Sequence, residues 1–340
     1  MRDLVVAGGG PVGLVTALYA ARAGLDVVVR EPRHGVIDKA CGEGLMPAAV
    51  RALEDLGVRL DGRRIDGIRY VDPAHDVAAR FRNGPGRGVA RTALHGGLLE
   101  AVAAAGIPVE HSWVTTVQDR GDHVAVDGDS TRYLVAADGL HSPLRRSLGL
   151  DAPPRRARRY GLRCHLTAAP WSSFVEVHWS PHGEAYVTPL GDEQVGVAVL
   201  TDRRGRFEDA LATFPTLVPR LLGLARSRVR GAGPLRQRSS ARVRGRCLLV
   251  GDAAGYVDAL TGEGIAVGIA QARAVVAAVL ADDAASYEHA WRKVTWRHDL
   301  LTHGLLSASR HRLLRERIVP AASALPRVFE LAVNQLARPA

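Results

Sequence analysis

The chain has 340 residues, 47% of them hydrophobic, and three widely spaced cysteines, a composition that predicts a globular protein without a disulfide framework or a zinc site. Because it contains no run of about 18 uninterrupted apolar residues and no secretory leader, we expect no transmembrane helix and a cytoplasmic location. The net charge of +10 comes from arginines spread along the whole chain without interleaved aromatic residues, which argues against nucleic-acid binding.

The N-terminal region has the pattern of a β-α-β unit. An apolar run at residues 4–7 is typical of a buried parallel strand, and residues 12–23 carry apolar side chains at helical spacing. A second apolar run at residues 27–29 predicts the second strand, which completes a unit of about 30 residues.

The turn between the first strand and the helix fits the G-x-G-x-x-G pattern at Gly8, Gly10 and Gly13. Glycines let the backbone approach a pyrophosphate, and the helix N-terminus offers free N–H groups and a positive dipole end. An acid, Glu31, follows the second strand, where a carboxylate can accept both ribose hydroxyls and disfavours a 2′-phosphate. The unit therefore predicts a dinucleotide site.

The middle of the chain alternates helices, strands and turns. A second glycine turn, Cys41-Gly42-Glu43-Gly44, precedes a predicted helix, and a strand followed by a turn recurs at Asp138-Gly139. The predicted elements are helices at residues 47–56 and 92–105 and strands near residues 114–117, 123–126 and 133–137.

Residues 160–200 change to an alternation with period two, which predicts an antiparallel sheet. On its strands Glu176 and His178 share one face, and Arg163 and His165 pair in the same way. Such a polar face either lines a pocket, where it orients a substrate, or faces solvent; the apolar residues opposite favour solvent. A helical stretch is expected at residues 207–225.

The segment from Gly251 to Ile265 is the most informative part of the chain. It follows an apolar run, and it holds a small-residue turn with one acid, Asp252, and a second turn, Gly262-Glu263-Gly264, before a predicted helix. A strand, two tight turns and a helix start are typical of a site for an extended polar cofactor.

From residue 286 onward the chain is arginine-rich, with apolar residues at helical spacing. This pattern predicts a helix that covers the body of the protein or, alternatively, a helix that lies on an anionic membrane surface.

The motifs at residues 8–13, 138–145 and 251–265 resemble, in type and order, those of the superfamily of flavoprotein hydroxylases (group A monooxygenases) and geranylgeranyl reductases. The resemblance covers residues 1–280 and implies an α/β fold. The implied fold has a Rossmann-like FAD-binding domain of the p-hydroxybenzoate-hydroxylase type, an inserted antiparallel β-sheet substrate domain and C-terminal helices. The implied division is an FAD-binding domain at residues 1–60, 85–160 and 240–285, a substrate domain at 61–84 and 161–239, and a helical segment at 286–340.

The same resemblance assigns residues to the cofactor. Glu31 and Arg33 would lie at the adenosine end, Val114 would contact adenine through its backbone, Arg91 would reach the middle of FAD, and Asp252 would hold a ribityl hydroxyl. The full set implied to bind FAD is Gly8, Gly10, Pro11, Val12, Gly13, Glu31, Arg33, Cys41, Gly42, Gly44, Arg91, Val114, Asp138, Gly139, Arg145, Gly251, Asp252, Gly262, Glu263, Gly264 and Ile265.

The loop that begins at Cys41 resembles the Cys-Gly-Gly loop of the reductase branch, with Glu43 in place of a glycine, and its position predicts a mobile loop beside the flavin. Cys41 has no C-x-x-C partner, which favours a small packed residue over a redox cysteine. Asp258 departs from the proline-rich version of its loop and either faces substrate or caps the loop. The candidate substrate-pocket residues are Glu43, Arg163, Glu176, His178 and Asp258.

The resemblance implies an FAD-dependent oxidoreductase for which no single catalytic residue and no metal is expected. The leading interpretation is a monooxygenase of specialised metabolism. Its flavin, reduced by NAD(P)H, would form a C4a-peroxide with O2 and attack an aromatic or other electron-rich small molecule. The alternatives are a reductase of isoprenoid double bonds and, from another class, a flavin-binding module without catalysis. Either a monomer or a dimer is consistent with the sequence.

Overall fold

The computed structural model describes residues 1–153 and 158–337 of the chain. Its strands are β1 (Arg2–Ala7), β2 (Val27–Arg30), β3 (Gly44–Leu45), β4 (Arg63–Ile65), β5 (Gly67–Val71), β6 (Asp76–Arg80), β7 (Gly86–Gly88), β8 (Val109–Glu110), β9 (Val117–Asp119), β10 (Val124–Val126), β11 (Asp129–Ala136), β12 (Tyr160–Thr167), β13 (Phe174–Ser180), β14 (Gly183–Gly191), β15 (Gln194–Thr201), β16 (Arg230–Ala232), β17 (Val243–Arg244) and β18 (Cys247–Leu249). Its helices are α1 (Pro11–Arg22), α2 (Pro47–Asp55), α3 (Arg91–Ala104), α4 (Pro143–Ser147), α5 (Phe207–Leu211), α6 (Val218–Leu221), α7 (Gly264–Leu280), α8 (Ser286–Arg310), α9 (Arg312–Arg315), α10 (Ile318–Ala324) and α11 (Pro326–Leu336).

A parallel sheet forms the centre of the first layer. Its strands follow the order β17-β18-β11-β1-β2-β8, and β1 pairs in parallel with both β11 and β2. The last four residues of β1 are all buried, as expected for a strand that is covered on both faces. Its core contains buried side chains from α1, α3 and α7. The predicted α/β fold with a β-α-β unit is confirmed.

A second, mostly antiparallel sheet follows the order β16-β12-β15-β14-β13-β5-β6. The antiparallel run β12 to β15 matches the alternating pattern of residues 160–200, and β5 joins β13 in parallel. The strand β4 lies in the predicted substrate segment but pairs with β7, in a small sheet with β3. The division of the chain into independent domains stays a prediction.

The second sheet has two covered faces. Residues directly opposite on neighbouring strands share a face, so Val177, Tyr186, Ala198 and Arg163 lie on one side, the inner face. The core on that side brings Trp179 and Tyr186 of the sheet together with apolar residues of α8, α10 and α11. The opposite side, the outer face, packs against a third cluster that includes residues of the segment from α5 to α6.

The expectation that Glu176 and His178 face solvent is wrong. Both lie on the outer face, with side chains only 2% and 3% exposed, because the chain around α5 and α6 covers that side. They form a contact of 3.2 Å with each other, and the indole N–H of Trp171 donates to Glu176 at 3.0 Å. Arg163 and His165 occupy the inner face, so the two pairs point to opposite sides of the sheet.

Two predicted elements differ in extent from the structure. The helical stretch expected at residues 207–225 is two short helices, α5 and α6, because Pro215 cannot continue the first helix. The strand expected near residues 114–117 begins only at Val117, and Val114 precedes it.

The C-terminal segment is helical, as expected. The helix α8 buries Tyr287, Trp291 and Leu306 against the body, whereas Trp296 and Leu300 on its other side are exposed. Within the described residues, no helix combines the length and apolar character needed to cross a membrane.

Candidate cofactor site and adjoining cluster

The glycine turn after β1 is packed against the backbone at the end of β11. A Cβ atom on Gly8 would lie 2.4 Å from the carbonyl oxygen of Ala137, and a Cβ on Gly13 would lie 1.9 Å from the carbonyl oxygen of Gly8. The backbone of Gly8 also has a positive φ of 116°, which favours glycine. The sequence therefore needs glycine at both positions to bring the start of α1 next to the ends of the parallel strands.

A cavity of 360 Å³ lies at the carboxyl ends of β1 and β2, where ligands bind in sheets of this type. Glu31, buried in its wall, accepts a hydrogen bond from the backbone N–H of Gly9 at 2.8 Å. The guanidinium of Arg33 donates to both oxygens of Glu31, at 2.7 and 2.8 Å. Burial raises the pKa of Glu31, but these hydrogen bonds outweigh it and hold the pKa below its ordinary value. The carboxylate is thus charged and oriented towards the cavity.

His95 is a site residue that the sequence analysis missed. Its Nδ1 accepts a hydrogen bond from the N–H of Ile37 at 3.2 Å, and its Nε2 lies 2.7 Å from the carbonyl oxygen of Gly9. An imidazole that accepts at Nδ1 and donates at Nε2 is neutral. Burial lowers the pKa of His95, which agrees with that state. His95 therefore links the glycine turn to the segment before Cys41.

We call the region bordered by the turns that follow β1, β11 and β18 the crevice, and charged groups from different loops face each other across its middle. The carboxylate of Asp252, on the turn after β18, is open to the crevice, and Lys39 and Arg91 are the cations that act on it. Asp138 is more enclosed: its Oδ2 accepts from the N–H of Leu144 at 3.0 Å. Within the described residues its Oδ1 has no hydrogen-bond partner, although it is buried. Lys39 had no signal in the sequence.

Arg145 connects the two turns that carry Asp138 and Asp252. Its side chain is completely buried, and its Nε donates to Asp151 at 2.7 Å. One terminal nitrogen donates to the carbonyl oxygen of Ala253 at 3.1 Å, and the other donates to that of Leu140 at 3.3 Å. Arg145, which the resemblance placed among the FAD-binding residues, therefore holds the two loops in place through contacts with protein groups.

Glu43 fixes the loop that begins at Cys41. Its buried carboxylate accepts from the N–H of Arg91 at 2.7 Å and lies 2.8 Å from Nε2 of His165 and 3.7 Å from Arg163 on the inner face. Glu43 also has a positive φ of 60°, an uncommon conformation for a residue other than glycine. These contacts hold the loop against the sheet and the start of α3. The sequence predicted a mobile loop here and gave no sign of these contacts. Cys41 is half-buried, and burial raises the pKa of its thiol.

The backbone of the turn before α7 lies along the crevice, and the side chain of its acid, Glu263, points away from the crevice. Gly262 and Gly264 are exposed, whereas Glu263 is buried and contacts Nδ1 of His298 on α8 at 2.9 Å. Burial raises the pKa of Glu263, and His298 opposes that shift. The side chain of Glu263 therefore anchors the turn to the C-terminal helix, and only its backbone lies along the crevice.

The inner face of the second sheet adjoins these loops. The hydroxyl of Tyr186 donates to the carbonyl oxygen of Leu260 at 2.8 Å, and that of Thr188 donates to Gly42 at 2.9 Å. Tyr186 belongs to a cluster with Trp179 and Phe329, and the ring of Tyr70 packs between the last two. We call this packed group of aromatic and apolar side chains the inner cluster.

Other predicted site residues occupy varied positions. Asp258 is buried and its Oδ2 lies 3.5 Å from Nε of Arg159. Val114 is half-buried and packs against the core, while Val109 and His111 line the 360 Å³ cavity. Gly44 is the first residue of β3, and the remaining predicted residues belong to turns and helix starts: Gly10, Pro11, Val12, Gly139, Gly251 and Ile265.

Several features of the crevice fit FAD: a turn in which a Cβ fits at neither Gly8 nor Gly13, an oriented acid beside a cavity, and the Oδ1 of Asp138, which has no partner among the described residues. A metal would need a different donor set. Among residues 1–153 and 158–337, no group of three or more His, Cys, Asp or Glu residues is arranged to hold a metal ion.

We predict that Arg145→Ala lowers the free energy of unfolding by about 3 kcal/mol, because it removes a buried cation and leaves several acceptors unpaired. The neighbouring Arg146 is exposed, so Arg146→Ala is the matched control and should change stability by less than about 0.5 kcal/mol. Urea unfolding of the three proteins measures the difference. Equal stabilities of the two variants would contradict the role of Arg145.

A second prediction concerns pH. The folded-state pKa of His95 is lowered from its ordinary value of 6.5, so on acidification the unfolded chain binds a proton that the folded protein does not. Stability should therefore fall as the pH drops below about 6.5, and His95→Gln, which keeps one donor and one acceptor, should weaken that dependence. Urea unfolding at about pH 7.5 and about pH 5.5 tests this. His289→Gln, on the exposed side of α8, should leave the dependence unchanged.

Comparison with known proteins identifies the family of this chain. The profile of the FAD binding domain family matches residues 1–290. A menaquinone reductase of Mycolicibacterium smegmatis is 30% identical over 331 residues, which cover 87% of this chain and 80% of that protein. The 3-hydroxybenzoate 6-hydroxylase 1 of Aquipseudomonas alcaligenes is 29% identical over 234 residues, which cover 61% of this chain and 59% of that protein.

A solved structure shares the fold. The flavoprotein/dehydrogenase from Cytophaga hutchinsonii superposes with a TM-score of 0.84 over 98% of this chain and 92% of its own, at 18% identity. With the glycine turn, the oriented Glu31 and the family profile in agreement, the chain belongs to the FAD binding domain family and is an FAD-dependent oxidoreductase.

Proposed function

We propose that the protein is a monooxygenase that uses NAD(P)H and O2 to oxygenate an aromatic or other electron-rich small molecule. The observation that carries this proposal is the inner cluster, an aromatic and apolar surface of the sheet that the hydroxyls of Tyr186 and Thr188 join to the loops at Leu260 and Gly42. An apolar surface of this kind beside the proposed flavin position suits a planar ring and limits the access of water, which oxygen chemistry on a flavin requires.

The placement of FAD follows from the crevice and is part of the proposal. Its adenosine would occupy the 360 Å³ cavity, with the ribose on Glu31. The pyrophosphate would lie against the glycine turn and the start of α1, near Arg91 and Lys39. A ribityl hydroxyl would donate to Asp252, and the flavin ring would lie between the backbone at Gly42 and the turn at Gly262 and Gly264.

The bound flavin would supply the two-electron redox chemistry and the activation of O2. The chain's own residues bind, orient and exclude water. The helix α7 begins at Gly264, in the turn that borders the proposed flavin position, so its free N–H groups would favour negative charge on a reduced ring. Arg145 and Glu43 keep the flanking loops at fixed positions, so that the ring and the substrate meet in one geometry.

The presence of Glu43 in the loop after Cys41 also supports the oxygenase interpretation over the reductase interpretation. The reductase branch has glycine at this position of the Cys-Gly-Gly loop, whereas this chain has a buried carboxylate that approaches the inner face. A Cβ atom on Gly196 of β15 would lie 2.9 Å from the carboxylate of Glu43, so the sheet carries a glycine where this acid is accommodated. The substrate side of the loop thus differs from the reductase pattern.

A reductase of isoprenoid double bonds is the second candidate. It is favoured by Cys41-Gly42, by the run from Thr261 to Ile265, and by the similarity to the menaquinone reductase. Because burial raises the pKa of Cys41, its thiol is protonated at neutral pH and could deliver the proton that saturation of a double bond requires.

We predict that Asp252→Ala weakens FAD binding by about 1–3 kcal/mol, because a ribityl hydroxyl loses its acceptor. Titration of the apoprotein with FAD, followed by flavin fluorescence, measures the affinity. Asp61→Ala, at an exposed position outside the crevice, is the control and should bind FAD like the wild type. An unchanged affinity of Asp252→Ala would refute the placement of the ribityl chain.

The test of function is a comparison of turnover in air and under strict anaerobiosis. The FAD-loaded protein is supplied with NAD(P)H and either phenols or lipids that carry isoprenoid chains. We expect a phenol to stimulate O2 consumption and to gain an oxygen atom in the product. Anaerobic formation of a saturated isoprenoid product would establish the reductase instead, and FAD binding without oxidation of NAD(P)H by any combination would indicate a non-catalytic module.

A further inference from the structure

A second cavity, of 690 Å³, lies at one end of the second sheet. Three separate parts of the chain form it: the residues just before β12, the turn between β13 and β14, and the end of α8 together with α9. Its volume falls within the range of about 300–1,000 Å³ that is typical of sites for small molecules. The cavity shares no lining residue with the 360 Å³ cavity at Glu31, so the two are separate spaces.

Basic side chains from distant parts of the sequence meet in this cavity. Its lining contains four arginines and a histidine: Arg158, Arg159, Arg310, Arg315 and His182. The first two belong to an arginine-rich segment, residues 155–159, of which the structure describes residues 158 and 159. Because like charges repel, a fold that gathers them around one space indicates a site for a ligand of opposite charge.

One of these arginines is already paired inside the protein. Arg159 forms an ion pair with Glu184 of β14 and also lies 3.5 Å from Asp258 of the loop before α7. Both acids are buried. Arg159 therefore forms part of the wall of the cavity, and the charge that is available to a ligand comes from the other three arginines.

The other three arginines have donors that the described protein groups do not use. Within residues 1–153 and 158–337, neither Arg158 nor Arg310 forms a hydrogen bond or an ion pair. Arg315 donates from one terminal nitrogen to the carbonyl oxygen of Pro181, and its Nε is buried without a hydrogen-bond partner among the described residues. A buried donor without a partner costs about 1–3 kcal/mol, so this Nε indicates that an acceptor completes the site.

Two acids, Asp202 and Glu316, also line the cavity, and both are exposed. Water screens the charge of an exposed group more than that of a buried group. Arg315 is half-buried, so its charge acts on a ligand more strongly than the charge of either acid. Three available arginines against two exposed acids leave the cavity with a positive character that favours an anion.

We propose that Arg158, Arg310 and Arg315 bind a phosphate group of a small phosphorylated molecule in this cavity. Three guanidinium groups offer more donors than the two oxygens of a carboxylate can accept, whereas a phosphate group presents three oxygens and up to two negative charges. Two sources share this chemistry, a pyridine nucleotide that supplies electrons and a phosphorylated substrate, and binding experiments separate them.

The site is remote from the proposed flavin position. Gly183, which lines the cavity, is the first residue of β14, and Thr188 on the same strand donates to Gly42. The two residues of β14 are about 17 Å apart, because a strand rises about 3.4 Å per residue. A phosphate group in this cavity therefore holds the ligand in place and takes no part in the reaction at the flavin. The inference goes beyond the proposed oxygenase function and does not depend on it.

Binding of inorganic pyrophosphate tests the inference. The FAD-loaded protein, whose FAD site is already filled, is titrated by calorimetry with pyrophosphate and, at equal ionic strength, with acetate. We expect saturable binding of pyrophosphate that is at least about tenfold tighter than that of acetate and that weakens as salt is added. Pyrophosphate that binds no more tightly than acetate would overturn the proposal, and this comparison needs no variant.

Variants locate the binding. Arg158→Gln and Arg310→Gln each remove one exposed cation, and each should weaken the binding of pyrophosphate by about tenfold or more. Arg327→Gln is the matched control, because Arg327 on α11 is equally exposed but lies outside the lining of the cavity, and it should keep the affinity within about twofold. Retention of FAD and the circular dichroism spectrum show that each variant is folded. Wild-type affinity for pyrophosphate in both Arg158→Gln and Arg310→Gln would contradict the site.

The same variants identify the source of the phosphate group. If the ligand is a pyridine nucleotide, NADP+ should bind more tightly than pyrophosphate and should lose affinity in Arg310→Gln. If the ligand is a phosphorylated substrate, Arg310→Gln should weaken the binding of pyrophosphate and leave the affinity for NADP+ unchanged. Both results support the site, and each assigns it to one class of molecule.

Discussion

The turn after β1 packs closely against the backbone at the end of β11. The positions of the other elements of the site depend on this approach. A Cβ at Gly8 would lie 2.4 Å from the carbonyl oxygen of Ala137, so the approach is possible only with glycine. It places the N-terminus of α1 at the ends of the parallel strands and brings Glu31 within hydrogen-bond distance of Gly9. The crevice that fits FAD is a direct consequence of that packing.

Around the crevice, buried charged groups hold the loops that the glycines leave free. Glu43 ties one loop to the start of α3 and to the inner face, Arg145 joins the turns at Asp138 and Asp252, and Glu263 anchors the last turn to α8. Each of these groups has partners from distant parts of the chain. Specific hydrogen bonds oppose the desolvation of these groups and fix each loop to a distant part of the chain.

Sequence periodicity and glycine positions predicted those helices, strands and turns that form from residues close together in the chain. The β-α-β unit, the antiparallel strands and the helix after Gly262 follow from periodicity and glycine turns. Partners that meet only through the tertiary fold left no such signal: His95 and Lys39 lie far in sequence from the groups they face, and Glu184 is one acid among many. The error at Glu176 and His178 has the same origin, because alternation shows that a face is polar but not that another segment covers it.

A structure of the protein with FAD bound decides whether the turns at residues 8–13, 41–44 and 262–264 enclose one cofactor beside the inner cluster. We expect adenosine in the cavity at Glu31 and a flavin ring between the backbone at Gly42 and the turn at Gly262 and Gly264, with its reactive face towards Tyr186. A flavin ring outside those two turns, or one separated from the inner cluster by other protein side chains, would refute this placement.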